Sequence, residues 1–256
     1  MTTAVVFVAG PVPPLEGASG ALGGADDGLT LGDRFRNRID VCAPELLVAA
    51  DGGLDLARRL GYEPGFVVGD MDSVSASGIA EARSGSAVIT ELPRAKDASD
   101  YELAIDVAIA AGAGHVMVIG GASGRLDHVF ATVLTLTNNK YRNVIIEAWL
   151  VDNYVGIVHG AAVDGVAVGG GDAGASSTAR APRRAVVHGR PGEHLSLFST
   201  SGPAEGVTTT GLRWVLENAT LEPGTSLGIS NELVANVATI QATAGVLAVI
   251  KTGGTK

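Results

Sequence analysis

The chain has 256 residues, with 27 Asp and Glu against 18 Lys and Arg, which gives a formal net charge of -9. Without a basic surplus, nucleic acid is not expected as a partner, although a nucleotide bound through a divalent cation is compatible with an acidic pocket. The single cysteine argues against a disulfide framework and against a thiolate metal cluster. No apolar stretch is long enough to span a membrane and no basic leader precedes the first apolar run, so a soluble cytoplasmic protein is expected.

The first 150 residues alternate between apolar runs and helical patterns. The apolar runs predict strands at 4–9, 46–50, 66–68, 87–89, 116–119 and 144–150. Helical spacing predicts helices at 54–60, 99–111 and 126–136, with Ser99 as an N-cap, whereas the Gly- and Pro-rich residues 11–32 predict a long loop. Strands that alternate with helices indicate a largely parallel α/β sheet that is covered on both faces.

The composition changes after about residue 152. Residues 160–185 are rich in Gly, Ala and Ser, which is typical of a flexible insert, and short β-rich runs separated by Gly and Pro follow it. Three arginines at the end of the insert either stay in solvent or close over nucleotide phosphates. We therefore expect an α/β nucleotide- and metal-binding domain at 1–152, a flexible connection at 153–185, and a small β-sandwich domain at 186–256.

Aspartates follow two of the predicted strands. Asp51 comes after the strand that ends at residue 50, and Asp70 and Asp72 come after the strand that ends at residue 68. Ligands of an open parallel sheet gather at the carboxyl ends of its strands, and hard cations such as Mg²⁺ take oxygen ligands together with substrate phosphates. In an extended stretch, Asp70 and Asp72 would share one side. Any one of these Asp- and Gly-containing segments, taken alone, is better explained as an ordinary turn, because Gly and Asp are common in turns.

Two predicted helices begin with charged residues. Asp100 lies in the first turn of one helix, where the helix dipole alone favours an acid. Arg125 and Asp127 begin another helix directly after the glycine-rich residues 120–124, a turn whose backbone N–H groups can bind phosphate beside an arginine. The segment is not a Walker A loop, because Gly-Lys-Ser/Thr is missing. His128 fits either a catalytic base or a structural residue, and we regard it as a supporting residue.

The order of these segments resembles the thiamine pyrophosphokinase family. The resemblance is carried by Asp51-Gly52-Gly53, Gly69-Asp70-Met71-Asp72-Ser73, Lys96-Asp97-Ala98-Ser99-Asp100 and Gly124-Arg125-Leu126-Asp127-His128. It continues in residues 210–216 and 230–232, which look like the family's thiamine-binding β domain. It extends over roughly residues 4–251, and the Gly- and Ala-rich insert has no evident counterpart.

The resemblance implies transfer of the pyrophosphoryl group of ATP to the hydroxyl of thiamine, giving thiamine diphosphate and AMP. It also implies Mg²⁺ as the cofactor and a homodimer whose active sites are shared between subunits. The implied residues are Asp51, Asp70, Asp72 and Asp100 for the metal; Asp72, Asp100, Arg125 and Asp127 for catalysis; Asp51, Gly52, Gly53, Ser99, Gly124 and His128 for the nucleotide; and Trp214, Ser230 and Asn231 for thiamine. Trp214 on local sequence alone would be a β-sandwich core residue.

The sequence differs from the family pattern at two positions, and two other functions are compatible with parts of it. Ala98 stands where the family usually has Glu, and Ser123 stands where it usually has Gly. A pyrophosphokinase for another small alcohol, such as a pterin, would keep the aspartates but would lack Trp214 and the Ser230-Asn231 pair. A non-catalytic thiamine or nucleotide sensor would keep the pocket but would lose a metal-binding carboxylate, and none of the four aspartates is missing.

Overall fold

A computed structural model describes residues 1–10, 14–16, 29–121, 126–160 and 184–253. The chain divides into two compact units, Met1–Val155 with Thr252–Lys256, and Gly156–Lys251. Most of the predicted loop at 11–32, and most of the Gly- and Ala-rich insert with Arg180 and Arg183, lie outside the described residues. In the part that is described, no helix is both long and apolar enough to cross a membrane.

The first unit is an α/β structure. Its described elements are β1 (Thr2–Val8), α1 (Leu31–Cys42), β2 (Leu46–Ala50), α2 (Gly53–Arg59), β3 (Phe66–Gly69), α3 (Ala76–Ser84), β4 (Val88–Glu91), α4 (Asp100–Ala110), β5 (Ala113–Gly120), α5 (Leu126–Leu136) and β6 (Ile145–Leu150), with a short 3-10 helix at Asn139–Tyr141. The six strands run parallel in the order β6-β5-β1-β2-β3-β4. The predicted parallel sheet is confirmed.

The centre of this sheet is formed by the most apolar strands. The buried side chains of β1 and β5 pack with those of α1 and α2 in one cluster that includes Phe7, Phe35, Ile39, Leu56 and Ile119. Helix α4 contacts β1, β2, β3 and β5 through a face of small and apolar residues. Because side chains alternate along a strand, this packing fixes which residues at the strand ends point to either face.

The prediction of a loop through residue 32 is wrong at its end, since helix α1 begins at Leu31. Thr30 and Asp33 form a capping box: each side chain accepts a hydrogen bond from the backbone N–H of the other residue. Phe35 and Ile39 are buried one turn apart, while the residues around them are largely charged. The prediction also missed α3, which Ser75 caps and which buries only Gly78 and Ala82.

The second unit consists of antiparallel strands. They are β7 (Asn153–His159), within which the boundary between the units falls, β8 (Arg184–His188), β9 (His194–Ser199), β10 (Ala204–Thr210), β11 (Ala219–Leu221), β12 (Asn231–Glu232), β13 (Val237–Gln241) and β14 (Val246–Lys251). β12-β9-β14 and β11-β10-β13-β8 are hydrogen-bonded in these orders. Alternate residues of β8 and β9 are buried, as in a sandwich. The connection predicted at 153–185 must be shortened at both ends, because residues 153–159 and 184–185 belong to strands.

The chain returns to the first unit after β14. There the backbone N–H of Gly253 donates a hydrogen bond to Asn153 Oδ1 at 3.2 Å. A Cβ atom on Gly253 would lie 2.3 Å from the Cβ of Asp152, so only glycine allows this close approach. The first unit is therefore completed by residues from both ends of the described chain.

Gly53 sets the distance between α2 and the central strand, and it gives a test of this packing. A Cβ atom at Gly53 would lie 2.1 Å from the carbonyl oxygen of Phe7, so Gly53→Ala must push the helix from the sheet. We expect a loss of about 2–3 kcal/mol in the free energy of unfolding, measured by denaturant titration. Gly65→Ala is the control, because its nearest atom would be 4.0 Å away. Equal stabilities of the two variants would contradict this packing role.

Candidate active site

The turns at the carboxyl ends of β2 and β3 have unusual backbone conformations. Asp51 and Met71 have φ angles of 47° and 63°, and Gly69 has a φ angle of 153°. The N–H of Asp51 donates to the carbonyl of Val68 at 2.8 Å, which ties the two turns together. A Cβ atom on Gly69 would lie 2.9 Å from the Cβ of Asp51, so the glycine permits this contact.

These turns bring three carboxylates together. Asp51, Asp70 and Asp100 each place one oxygen in a group whose members lie within 4.8 Å of one another. Asp51 is buried, and its Oδ1 has no hydrogen-bond partner among the described residues. All three side chains supply the hard oxygen ligands that Mg²⁺ prefers, and a buried carboxylate oxygen that lacks a donor is suited to a cation. The residues therefore fit a divalent metal ion.

The electrostatics of the cluster are unfavourable without a cation. Burial raises the pKa of the Asp51 carboxyl, and the negative charges of Asp100, Asp70 and Asp72 raise it further. A hydrogen bond from the hydroxyl of Ser73 to Asp51 Oδ2 acts in the opposite direction. The sequence interpretation had not assigned a role to Ser73, although it stands in the same short segment as Asp70.

Asp72 does not belong to the group of three. The prediction that Asp70 and Asp72 share a side assumed an extended segment, but the left-handed conformation of Met71 turns the chain between them. The backbone N–H of Asp72 instead donates to Asp70 Oδ1 at 3.2 Å. Its carboxylate accepts a hydrogen bond from Arg94, a residue that the sequence interpretation missed. Asp72 thus lies beside the cluster and is paired with a guanidinium.

Asp100 enters the cluster because α4 begins there. Ser99 caps the helix, as predicted, by accepting a hydrogen bond from the N–H of Glu102 at 3.4 Å. Lys96 Nζ lies 3.0 Å from Asp100 Oδ1 and 3.2 Å from the carbonyl oxygen of Pro93. The spacing of four residues between Lys96 and Asp100 is a sequence signal for this ion pair, which partly neutralises the cluster.

The remaining predicted residues of the first unit are placed as follows. Gly52 and Gly53 begin α2, and their lack of a side chain permits contact with the backbone carbonyls of Ser73 and Phe7. Asp127 and His128 lie exposed in the first turn of α5. Gly124 and Arg125 lie outside the described residues, so their assignment to phosphate stays a prediction.

In the second unit, Trp214 is 57% exposed, so the core role that local sequence alone favours is not observed, and its assignment to thiamine stays a prediction. The guanidinium carbon of Arg213 lies 5.4 Å from the centre of the indole, and Arg213 is held by Glu232 at 2.8 Å. Ser230 is exposed with a φ of 56°.

Asn231 differs from the prediction that it lines a pocket. It is 3% exposed, its Oδ1 accepts from the N–H of Trp214 at 3.1 Å, and its Nδ2 donates to the carbonyl of Trp214 at 2.7 Å. The amide therefore fixes the backbone that carries Trp214.

The fold and the site define the chain as an α/β protein with a carboxylate centre at the carboxyl edge of a parallel sheet, followed by an antiparallel β unit. Residues 42–148 match the family described as "Thiamin pyrophosphokinase, catalytic domain", and residues 184–247 match "Thiamin pyrophosphokinase, vitamin B1 binding domain". Together the two matches extend over more than half of the chain. The chain belongs to the thiamin pyrophosphokinase family, and it is an enzyme with thiamine diphosphokinase activity.

Individual relatives agree with this assignment. The chain is 23% identical over 205 residues to "Thiamine pyrophosphokinase 1" of Oryza sativa subsp. japonica, covering 78% of this chain and 69% of the relative. It resembles the crystal structure of thiamine pyrophosphokinase from Bacillus subtilis with a TM-score of 0.68 and 20% identity, covering 98% and 99% of the two chains. The enzyme from Geobacillus thermodenitrificans gives a TM-score of 0.67 and 22% identity, with coverage of 100% and 99%. These structures share its fold.

The raised pKa of Asp51 predicts how the metal-free protein responds to pH. A carboxyl with a raised pKa in the folded state stabilises the fold below its ordinary pKa of about 3.9, and this contribution is lost as the pH rises through the folded value. The parent protein should therefore lose this contribution as the pH rises, whereas Asp51→Asn has none to lose. In EDTA, the melting temperature of Asp51→Asn minus that of the parent protein should rise by about 2–4 °C between about pH 4 and about pH 8. Asp97→Asn is the control, because Asp97 is exposed. If the melting temperatures of Asp51→Asn and of the parent protein change in parallel with pH, the electrostatic argument is contradicted.

Proposed function

We propose that the carboxylate cluster is the centre of the pyrophosphoryl transfer, with ATP as donor and thiamine as acceptor. The hydroxyl oxygen of thiamine forms a bond to the β-phosphorus of ATP, the bond from that phosphorus to the α–β bridging oxygen breaks, and AMP leaves while the hydroxyl proton is released. The observation that supports this most strongly is the convergence of Asp51, Asp70 and Asp100 at the strand ends, where ligands of parallel sheets bind.

Asp51, Asp70 and Asp100 would hold Mg²⁺, and the bound ion would neutralise charge on the phosphoryl oxygens of ATP. The chain's own residues prepare this site. Ser73 orients Asp51 through a hydrogen bond, and Lys96 orients Asp100 through an ion pair. Because these side chains are fixed before the substrates bind, little reorganisation is needed when charge develops in the transition state.

The acceptor site is proposed to include Trp214. One face of its indole is near Arg213, and the exposed side chain can stack on an aromatic ring of thiamine with its other face. The hydrogen bonds of Asn231 hold the backbone of Trp214, so the indole is presented from a fixed position. In this proposal Asn231 positions Trp214, and Ser230 lies at the exposed edge of the same segment.

We further propose that the enzyme is a homodimer with shared active sites. Helix α5 exposes three large apolar side chains at four-residue spacing: Leu126, Phe130 and Leu134 are 82%, 63% and 41% exposed. They form one stripe along the helix, the pattern of a face that packs against a partner. A second copy of the chain is the proposed partner, because α5 begins directly after the predicted phosphate-binding segment and Asp127 lies in its first turn.

The metal assignment predicts different results for two neighbouring aspartates. Asp100→Asn should lower kcat/KM by at least about a hundredfold, which corresponds to roughly 2.7 kcal/mol of transition-state stabilisation. Asp97→Asn should change it by less than about threefold, because Asp97 is exposed and lies outside the group of three. AMP formation from ATP and thiamine gives the rates, and circular dichroism verifies folding. A folded Asp100→Asn protein with parent-like turnover would disprove the assignment.

Trp214→Ala should weaken thiamine binding by about 1–3 kcal/mol and leave ATP binding nearly unchanged, as measured by calorimetry, because the lost stacking concerns one substrate. Val215→Ala is the control, since Val215 is a neighbouring exposed apolar residue.

The Trp214→Ala variant also tests whether the active site is shared between subunits. If subunits contribute to each other's sites, exchange of Trp214→Ala with Asp100→Asn subunits should restore part of the activity. If, despite subunit exchange, the mixture is no more active than the two variants measured separately at limiting thiamine, each site lies within one chain.

A further inference from the structure

Arg94 is an exposed residue that contacts two aspartates at the carboxylate cluster. It belongs to the connection between β4 and α4, and its Nη2 donates a hydrogen bond to Asp72 Oδ2. Its Nε lies 3.7 Å from Asp70 Oδ2. One guanidinium thus bridges Asp70, a member of the group of three carboxylates, and Asp72, which lies outside it.

The neighbouring cation, Lys96, is held in a different way. Lys96 is 14% exposed and contacts both Asp100 and the carbonyl of Pro93, so it is a fixed part of the site. Arg94 is 78% exposed, and its polar contacts among the described residues are with the two carboxylates. Ion pairs of exposed side chains contribute little free energy, so moving Arg94 away costs little.

A divalent cation on Asp70 would place a second positive charge next to the guanidinium. The two cations repel each other, and Asp70, one of the two carboxylates that Arg94 contacts, is one that the metal ion needs. A planar guanidinium also binds phosphate oxygens through paired hydrogen bonds.

We propose that Arg94 is a mobile counter-ion: it neutralises Asp70 and Asp72 while no metal ion is bound, and it moves to a phosphate group of the nucleotide when the metal ion binds. This inference rests on the proposed function, since it takes Asp70 as a metal ligand. It assigns Asp72 the role of holding Arg94 beside the site.

The experiment first measures Mn²⁺ binding without nucleotide, by electron paramagnetic resonance of the free ion. Arg94→Ala should bind Mn²⁺ about two- to fivefold more tightly than the parent protein, because the competing cation is gone. Arg83→Ala is the matched control, since Arg83 is an exposed arginine of the same unit that pairs with Glu91 at 3.1 Å. Arg94→Gln provides a second variant without the charge, with circular dichroism to verify folding.

The second measurement is ATP binding in saturating Mg²⁺ without thiamine, by calorimetry. Arg94→Ala should lose at least about tenfold in ATP affinity, and Arg94→Lys should retain part of it, because lysine keeps the charge but not the paired hydrogen bonds. Tighter Mn²⁺ binding together with weaker ATP binding by Arg94→Ala supports the proposal.

Three results would overturn it, in distinguishable ways. A parent protein that does not bind Mn²⁺ would disprove the metal site itself and the role of Arg94 with it. Parent-like Mn²⁺ binding by Arg94→Ala and Arg94→Gln would disprove the competition while leaving the proposed function intact. Unchanged ATP affinity would disprove the transfer of Arg94 to phosphate.

Discussion

Enforced proximity of like charges is the constraint on which this site depends. The carboxylates of Asp51, Asp70 and Asp100 are kept within 4.8 Å of one another although they repel. What keeps them there is the backbone: parallel strands with apolar, buried side chains end side by side, and the hydrogen bond from the N–H of Asp51 to the carbonyl of Val68 ties the two turns together. The free energy of packing the sheet thus offsets the electrostatic cost, and binding of a cation would recover that cost.

The sequence was sufficient to place aspartates at strand ends, because apolar runs locate strands and parallel strands end at one edge. It was not sufficient to decide which aspartates converge. That depends on the φ angle of Met71, and a left-handed conformation in a residue other than glycine has little signature in the sequence. The helices α1 and α3 were missed for a related reason: each buries few apolar side chains, and the capping box of Thr30 and Asp33 was the clearest signal of α1.

The second unit illustrates the limit of reasoning from neighbouring residues. The exposure of Trp214 and the burial of Asn231 depend on a contact between residues 17 positions apart, where one amide satisfies both backbone groups of the tryptophan. The motifs brought attention to both residues, but only the fold distinguishes an exposed side chain from a buried one that supports its backbone. Burial decides between these roles, and burial is a property of the whole unit.

The return of the chain through Gly253 makes the first unit discontinuous, with the second unit inserted between Val155 and Thr252. During synthesis, the hydrogen bond to Asn153 can form only after all of the inserted residues have left the ribosome. A gene fragment that stops at residue 155 would omit this closing contact and would leave Asn153 Oδ1 without the backbone N–H of Gly253, while Asn153 Nδ2 could still donate to the carbonyl of Leu150. A fragment that keeps this contact must contain both segments of the first unit, so the boundary for dissecting this protein lies at two positions in the sequence.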